Sequence, residues 1–520
     1  MQNLLIVIPA IKKNAVIPDQ LIKKLDGITL IQRAINTAKG ITDNILIVTD
    51  SEEISLIAQR NSIDYLKQTD LKIDSDSILE EINSLIKNRD TENILLYRAN
   101  TPLIDSGILK EAYKEFLIDS NTTLVSVKDL DKQLLEYRDD ILKKVNKAYV
   151  KELKAFYIYN KNSKSKIYRP FVIKEEKSIE IESYHDWWVC EKVLKRKRIV
   201  FNVIGSVAIG MGHIYHSLAL AHEITDHEVI FVCHEKYEVA VEKIASMDYK
   251  VISTKNTLNT VLELKPDLVI NDILNTEKNY IIELQTQNIK VVNFEDLGDG
   301  SQYADLVFNE LYDTPQCVGN NYLWGYEYLA LRDEFTTAKP HKMVDTISEI
   351  LISFGGTDQN NLTLLTLKSI LEICLQFSIK IHIVCGSAYR FQGELESYIK
   401  QCNYKKTELH IASNSISKIM EKTELAISSN GRTVYELAHM NIPSIIVSHH
   451  EREATHTFAS LEKGFINLGV VRNNTSQEIT TTFKKIVEDK FYRELLFMNI
   501  KKYDFEQNKV KVVKKIMELL

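Results

Sequence analysis

Ile199-Val200-Phe201-Asn202-Val203-Ile204, followed by Gly210-Met211-Gly212-His213 and then Leu218-Ala219-Leu220-Ala221, is the stretch that decides how this chain reads. An apolar run of strand length passes into a glycine turn, and the turn opens a helical pattern. That succession brings the N–H groups of a helix start to an anion, and glycine lets a diphosphate come close. His213 stands at the mouth of the turn, where a general base for sugar chemistry is useful. The plain alternative is a helix-start histidine bonded to a neighbouring carbonyl.

Outward from that stretch the same unit recurs. Downstream, Val229–Val232, Leu268–Ile270 and Val291–Phe294 continue it, and Thr336-Thr337-Ala338-Lys339-Pro340-His341 reads as a linker. The pattern restarts at Ile350–Phe354 and runs through Ile381–Val384, Leu425–Ile427 and Ser444–Val447. Upstream, Leu4–Ile8, Ile45–Val48, Ile94–Tyr97, Thr123–Val127 and Phe156–Tyr159 read as strands, with helices near Leu30–Ala38, Glu52–Arg60 and from Tyr184 onward. The alternation predicts parallel sheets with crossover helices. The divisions fall at residues 1–196, 197–338 and 339–520, matching the roughly three domains that the length suggests. The expected class is α/β: a Rossmann-like domain followed by a two-lobed GT-B fold, with a ligand in the cleft at the strands' carboxyl ends.

Composition narrows the function classes. Hydrophobic residues at 44% and charged residues at 26% support ordinary cores and argue against disorder. A net charge of −6 with dispersed basic residues argues against nucleic acid. The run Lys195-Arg196-Lys197-Arg198 reads as a solvated helix end or linker. No apolar run reaches the roughly 18 residues of a membrane span. Met1 to Ala10 reads as a strand without a basic leader. The cysteines (Cys190, Cys233, Cys317, Cys374, Cys385, Cys402) lie far apart without zinc spacing, as buried thiols of a reducing cytoplasm do. A cytoplasmic protein is expected.

Further constellations carry chemistry. Ser353-Phe354-Gly355-Gly356-Thr357-Asp358 ends a strand in a turn whose N–H groups face a cleft, or else simply caps a helix through Thr357 or Asp358. Ser428-Ser429-Asn430-Gly431-Arg432-Thr433-Val434-Tyr435-Glu436 puts small residues before a helix start. Such a turn holds a diphosphate while Glu436 accepts from ribose hydroxyls; the alternative is an acid favoured by the helix dipole. Asp272, Glu295, Asp296 and Asp299 all follow strands, where either cleft residues or loop caps sit.

These residues, with Trp324-Gly325-Tyr326-Glu327-Tyr328-Leu329-Ala330-Leu331-Arg332-Asp333-Glu334-Phe335, resemble the UDP-sugar hydrolase of the pseudaminic acid pathway and related spore-coat polysaccharide proteins. That family lies beside the MurG-type glycosyltransferases in the GT-B superfamily, and the resemblance spans about residues 198–475. It implies hydrolysis of a UDP-linked diacetamido-trideoxyhexose by water, with no cofactor. By the same resemblance His213 is the catalytic histidine with Asp272 near it. Gly210, Gly212, Gly355, Gly356, Thr357, Gly431, Thr433 and Glu436 are then expected to bind the nucleotide. The chain departs from the family at His216, where an arginine is usual, and at His449-His450-Glu451-Arg452-Glu453, which replaces an Asn-Gln pair. Both changes fall on the acceptor and sugar side.

The first domain resembles the acylneuraminate cytidylyltransferases. Ile8-Pro9-Ala10, Leu30-Ile31-Gln32-Arg33, Val48-Thr49-Asp50, Asn100-Thr101-Pro102-Leu103-Ile104 and the segment from Ile179 to Trp187 carry the likeness. It implies CTP, Mg²⁺ and an acidic sugar, with Glu180 and Glu182 where that family has its Asp-x-Asp metal ligands. Alternate residues on a strand share a face, so both carboxylates are expected to reach one ion; the alternative is an edge strand with solvated acids. The family's phosphate loop, I-P-A-R-x-G-S-K, reads Ile8-Pro9-Ala10-Ile11-Lys12-Lys13-Asn14-Ala15, leaving Lys12 and Lys13 as its positive charge. Either a divergent cytidylyltransferase or a binding lobe without catalysis fits this loop.

The expected whole is a bifunctional nucleotide-sugar enzyme of nonulosonic acid biosynthesis. Its expected ligands are a UDP- or CMP-activated amino sugar and CTP, with neither nucleic acid nor a membrane segment, and its expected partner is a second copy of the chain, as a homodimer through the first domain. The alternatives are a GT-B glycosyltransferase with a degenerate first domain, and a non-enzymatic sensor or scaffold.

Overall fold

Strands buried on both faces need apolar side chains at every position, and Leu4–Pro9, Ile45–Thr49 and Asn93–Tyr97 are buried throughout. In the computed structural model, which describes residues 3–12, 16–69, 71–130, 135–138, 141–144, 149–206, 210–386, 388–413 and 415–520, they form the centre of the first of three large sheets. The chain divides into two compact units, Met1–Arg196 and Lys197–Leu520.

The first unit holds a seven-stranded sheet. In spatial order its strands are Tyr168–Ile173, Thr123–Asp129, Val150–Asn160, Asn93–Tyr97, Leu4–Pro9, Ile45–Thr49 and Asp64–Lys67. The sheet is not wholly parallel: Val150–Asn160 runs antiparallel to both its neighbours. Helices with one apolar stripe, such as Leu30–Lys39 with Leu30, Ile31, Ala34, Ile35 and Ala38 buried, cover it.

The second unit holds two parallel sheets. One runs Val251–Thr254, Glu228–His234, Arg198–Val203, Leu268–Asp272, Lys290–Phe294, Leu306–Asn309 and Tyr322–Trp324. The other runs Thr407–Ile411, Lys380–Cys385, Glu349–Ser353, Leu425–Ser428, Ser444–Ser448 and Phe465–Val470. In each, the first strand in sequence lies inside the sheet and later strands are added on both sides. The crossovers therefore leave in opposite directions beside it, and a crevice opens at the carboxyl ends there. This is the two-lobed GT-B arrangement.

The lobes are not divided cleanly at 338/339. Helix Asn508–Met517, expected with residues 339–520, packs on the first lobe, where Val512 and Ile516 join the core of Ile199, Phe201 and Phe231. Asn508 donates to the Tyr326 carbonyl at 2.8 Å, and Lys511 pairs with Glu327 at 2.8 Å.

The cysteines are all free. Four are buried, but Cys317 and Cys402 are only half-buried. Among the described residues no helix is long and apolar enough to cross a membrane.

Candidate active site

Both crevices of the second unit open into one cleft of about 560 Å³. From the first sheet, strand Arg198–Val203 delivers the loop to Gly210, which holds φ +92°, and helix Gly212–Ala221 starts at once. Gly210, Gly212 and His213 line the cleft. From the other sheet, strand Glu349–Ser353 delivers Gly355, Gly356 and Thr357, and strand Leu425–Ser428 delivers Gly431, Thr433 and Glu436. All of these face the same space. Gly356 is approached so closely by Gly386 that a Cβ on Gly386 would lie 2.3 Å from the Gly356 carbonyl oxygen.

Asp272 ends the strand beside Arg198–Val203, so it meets His213 at the crevice. Its Oδ1 lies 2.6 Å from His213 Nδ1 and its Oδ2 lies 2.7 Å from His216 Nδ1. Ser217 Oγ donates to Oδ2 at 3.3 Å. One carboxylate therefore orients two imidazoles. Each Nδ1–H donates to it, leaving each Nε2 with a lone pair. Burial alone would raise the Asp272 pKa, but His213, Arg432 and His216 facing it outweigh that and hold the carboxyl well below its ordinary range. His216 packs edge-on against Phe294 with ring centroids 4.6 Å apart.

Arg432 crosses from one lobe to acids of the other. Its Nη2 lies 3.0 Å from Glu310, 3.4 Å from Glu295 and 3.8 Å from Asp272. Burial would lower the guanidinium pKa; these carboxylates reverse that and raise it. Glu295 in turn faces Arg452 and His456, each at 3.6 Å. His456 Nδ1 lies 2.7 Å from the Asn430 carbonyl and donates to it, so Nε2 faces Glu295 at an ion-pair distance longer than a hydrogen bond. Glu436 accepts from Arg332 Nε at 2.8 Å, and burial raises its pKa. Arg432, Arg332 and Arg452 are thus already paired with acids.

Asp358 settles its own alternatives as a cap: its carboxylate accepts from the Leu362 and Thr363 N–H groups, both at 2.7 Å. Asp296 ties loops together, accepting from Thr276, Asn293 and Gly298. Asp299 accepts from the Lys278 N–H at the surface. Of Asp272, Glu295, Asp296 and Asp299, only Glu295 lines the cleft; Asp272, the last residue of its strand, lies fully buried behind it and reaches it through His213.

The first unit has a cavity of about 530 Å³, walled in part by Pro9, Asp74, Arg98, Lys154 and Tyr157. Lys12 does not line it. The Lys12 ammonium pairs with Glu53 and Asp19, whose hydrogen bonds raise its pKa, and its N–H donates to Asp50 at 2.8 Å. Lys13 lies outside the described residues. Glu180 and Glu182 do not sit on a strand as expected. They occupy the loop between the turn Glu175–Lys177 and helix Tyr184–Lys195, with Ile181 buried between them. Glu180 Oε1 is taken by the Asn100 amide at 3.1 Å and the Arg98 guanidinium at 3.3 Å. A guanidinium on that oxygen stands where a hard cation would need to, so these residues as placed do not fit Mg²⁺.

No family model matches the chain. An uncharacterized protein of Methanocaldococcus jannaschii, MJ1062, is 31% identical over 268 residues, covering 48% of this chain and 54% of that protein. The chain thus spans about half the length of that relative. The UDP-2,4-diacetamido-2,4,6-trideoxy-beta-L-altropyranose hydrolase of Campylobacter jejuni is 26% identical over 251 residues, 46% of this chain and 87% of that enzyme. The 3-deoxy-manno-octulosonate cytidylyltransferase of Francisella tularensis is 31% identical over 128 residues, 24% of this chain and 50% of that enzyme. This chain resembles a nucleotide-sugar hydrolase joined to a cytidylyltransferase. The crystal structure of Acinetobacter baumannii MurG is similar over 62% of this chain and 99% of that chain, at 12% identity and a TM-score of 0.46.

In the hydrolase-like unit, sequence reasoning missed Glu310 and His456. Glu310 follows the short strand Leu306–Asn309, which lacks a run long enough to announce it. His456 lies beyond the short helix Glu451–Ala454, where no periodic pattern points into the cleft. In the cytidylyltransferase-like unit the signal of Arg98 was present, since it directly follows the strand Asn93–Tyr97.

Proposed function

We propose that the Lys197–Leu520 unit hydrolyses a UDP-linked diacetamido-trideoxyhexose for nonulosonic acid biosynthesis. The observation that best supports this is the grip of Asp272 on His213 Nδ1, which leaves Nε2 as a base facing the cleft. Water gives a proton to His213 Nε2 as its oxygen bonds the anomeric carbon. The bond from that carbon to the diphosphate oxygen breaks, and UDP leaves. N–H groups near Gly212, Gly356 and Gly431 meet the leaving diphosphate, with Thr357 and Thr433 beside it, and Glu436 receives the ribose. Asp272 orients the base and stabilises the imidazolium that forms.

For the Met1–Arg196 unit we infer CTP or CMP-sugar binding with altered chemistry. The pairing of Lys12 with acids and of Glu180 with Arg98 supports this over metal-assisted nucleotidyl transfer. Cytoplasmic residence and a homodimer through this unit complete the proposal.

The test is UDP release from the UDP-sugar with no acceptor present, beside His213→Asn. Release that falls more than about 100-fold in the variant supports the base; unchanged release overturns it. A second reading, transfer to a sugar hydroxyl, is favoured by His216 and by His449, His450, Arg452 and Glu453 lining the cleft in place of the family's residues. It predicts release only on adding an acceptor. For the first unit, CTP binding without pyrophosphate release is expected.

A further inference from the structure

Away from the cleft, the edge strand Thr407–Ile411 pairs with Lys380–Cys385 in a register that sets His382 opposite Glu408. His410, two residues on from Glu408, points to the same face. Three donor atoms converge there. His382 Nδ1 lies 3.4 Å from Glu408 Oε2 and 3.5 Å from His410 Nε2, and His410 Nε2 lies 3.9 Å from the same oxygen. Among the described residues this is the one group of three such side chains whose donor atoms all lie within 4.8 Å of one another.

The two separations from His382 Nδ1 match a metal's coordination, and the His410–Glu408 separation of 3.9 Å is somewhat wider. A tetrahedral ion with bonds of about 2.0–2.1 Å holds its ligand atoms about 3.3–3.4 Å apart. The protonation pattern points the same way. His382 Nε2 lies 2.5 Å from Glu349 Oε2, on the neighbouring strand Glu349–Ser353. That bond places the His382 proton on Nε2 and turns the Nδ1 lone pair toward Glu408 and His410. A carboxylate behind a histidine is also how metal-binding imidazoles are oriented. Lys380 takes the other oxygen of Glu408 at 2.9 Å, leaving Oε2 for the cluster.

We propose that His382 Nδ1, His410 Nε2 and Glu408 Oε2 bind a first-row transition ion, Zn²⁺ being the best match to two imidazoles and a carboxylate. Water completes the fourth position, since Glu408 is exposed and His410 half-exposed. Glu349 is a positioning residue. The ion pins the edge strand to its neighbour, and that edge strand leads directly into Ala412 and Ser413, which line the cleft.

The test uses the full chain, stripped with a chelator and titrated with Zn²⁺ by calorimetry, with Co²⁺ absorption as a coordination readout. His410→Gln and Glu408→Gln change surface positions and leave the core alone; His213→Asn controls for the cleft histidines. One equivalent of Zn²⁺ is expected, with a four-coordinate Co²⁺ spectrum. Affinity should fall at least about tenfold in His410→Gln and Glu408→Gln, fall about tenfold in Glu349→Gln, and stay unchanged in His213→Asn. No saturable Zn²⁺ binding, or binding of equal affinity in His410→Gln, overturns the proposal.

Discussion

At the scale of single residues, Asp272 carries the most weight. It is fully buried, yet it stays ionised because His213, His216 and Arg432 surround it. Asp272→Asn can still fill the space but accepts hydrogen bonds through one oxygen only, so the imidazoles lose their common orientation. We expect kcat for UDP release to fall about 100- to 10,000-fold with KM little changed, measured by steady-state kinetics. His456 gives a pH signature. Burial would lower its pKa, but Glu295 raises it above the ordinary value of 6.5. A histidine whose folded pKa is raised contributes stability that is fully present below its unfolded pKa and lost as pH rises through the folded one. The melting temperature of the wild type should therefore fall relative to His456→Gln as pH rises from about 6 through neutrality. Equal pH profiles would show that the Glu295–His456 pair contributes nothing. Residue types alone announced Asp272 as one of four acids after strands, and only the family resemblance set it beside His213. What separates it from Asp296 and Asp299 is which strand it ends, and that is settled by sheet order.

At the scale of elements, central strands were legible and edge strands were not. Ile199–Val203, Leu268–Ile270 and Ile350–Ser353 are apolar at nearly every position because helices cover both faces. Asp64–Lys67, Val251–Thr254 and Thr407–Ile411 are half-exposed edges, and their polar residues break the apolar run that marks a strand. The reversed strand Val150–Asn160 was legible as a strand, but its direction depends on pairing that local sequence does not encode. Of the cleft glycines, Gly210 and Gly355 hold positive φ, which side chains rarely adopt, whereas Gly386 is closed to a side chain by its neighbour. Gly386→Ala tests this directly: its Cβ would collide with the Gly356 carbonyl, displacing the loop. We expect a loss of about 1–3 kcal/mol in chemical denaturation, together with weaker UDP binding by calorimetry.

At the scale of the whole molecule, the boundary at Arg196/Lys197 separates units with cores of their own. Fragments 1–196 and 197–520 should each express as folded proteins with cooperative melting, and the second should retain UDP-sugar hydrolysis. Fragment 197–507 should not, because removing Val512 and Ile516 uncovers the first lobe's core at about 1.5–3 kcal/mol for each side chain. That helix also gives synthesis a direction. The lobe that begins at Lys197 leaves the ribosome first, but the piece that covers its core is translated only after the entire other lobe. The earlier lobe must wait with an open apolar seam while its neighbour folds, and a chaperone has its opportunity in that interval.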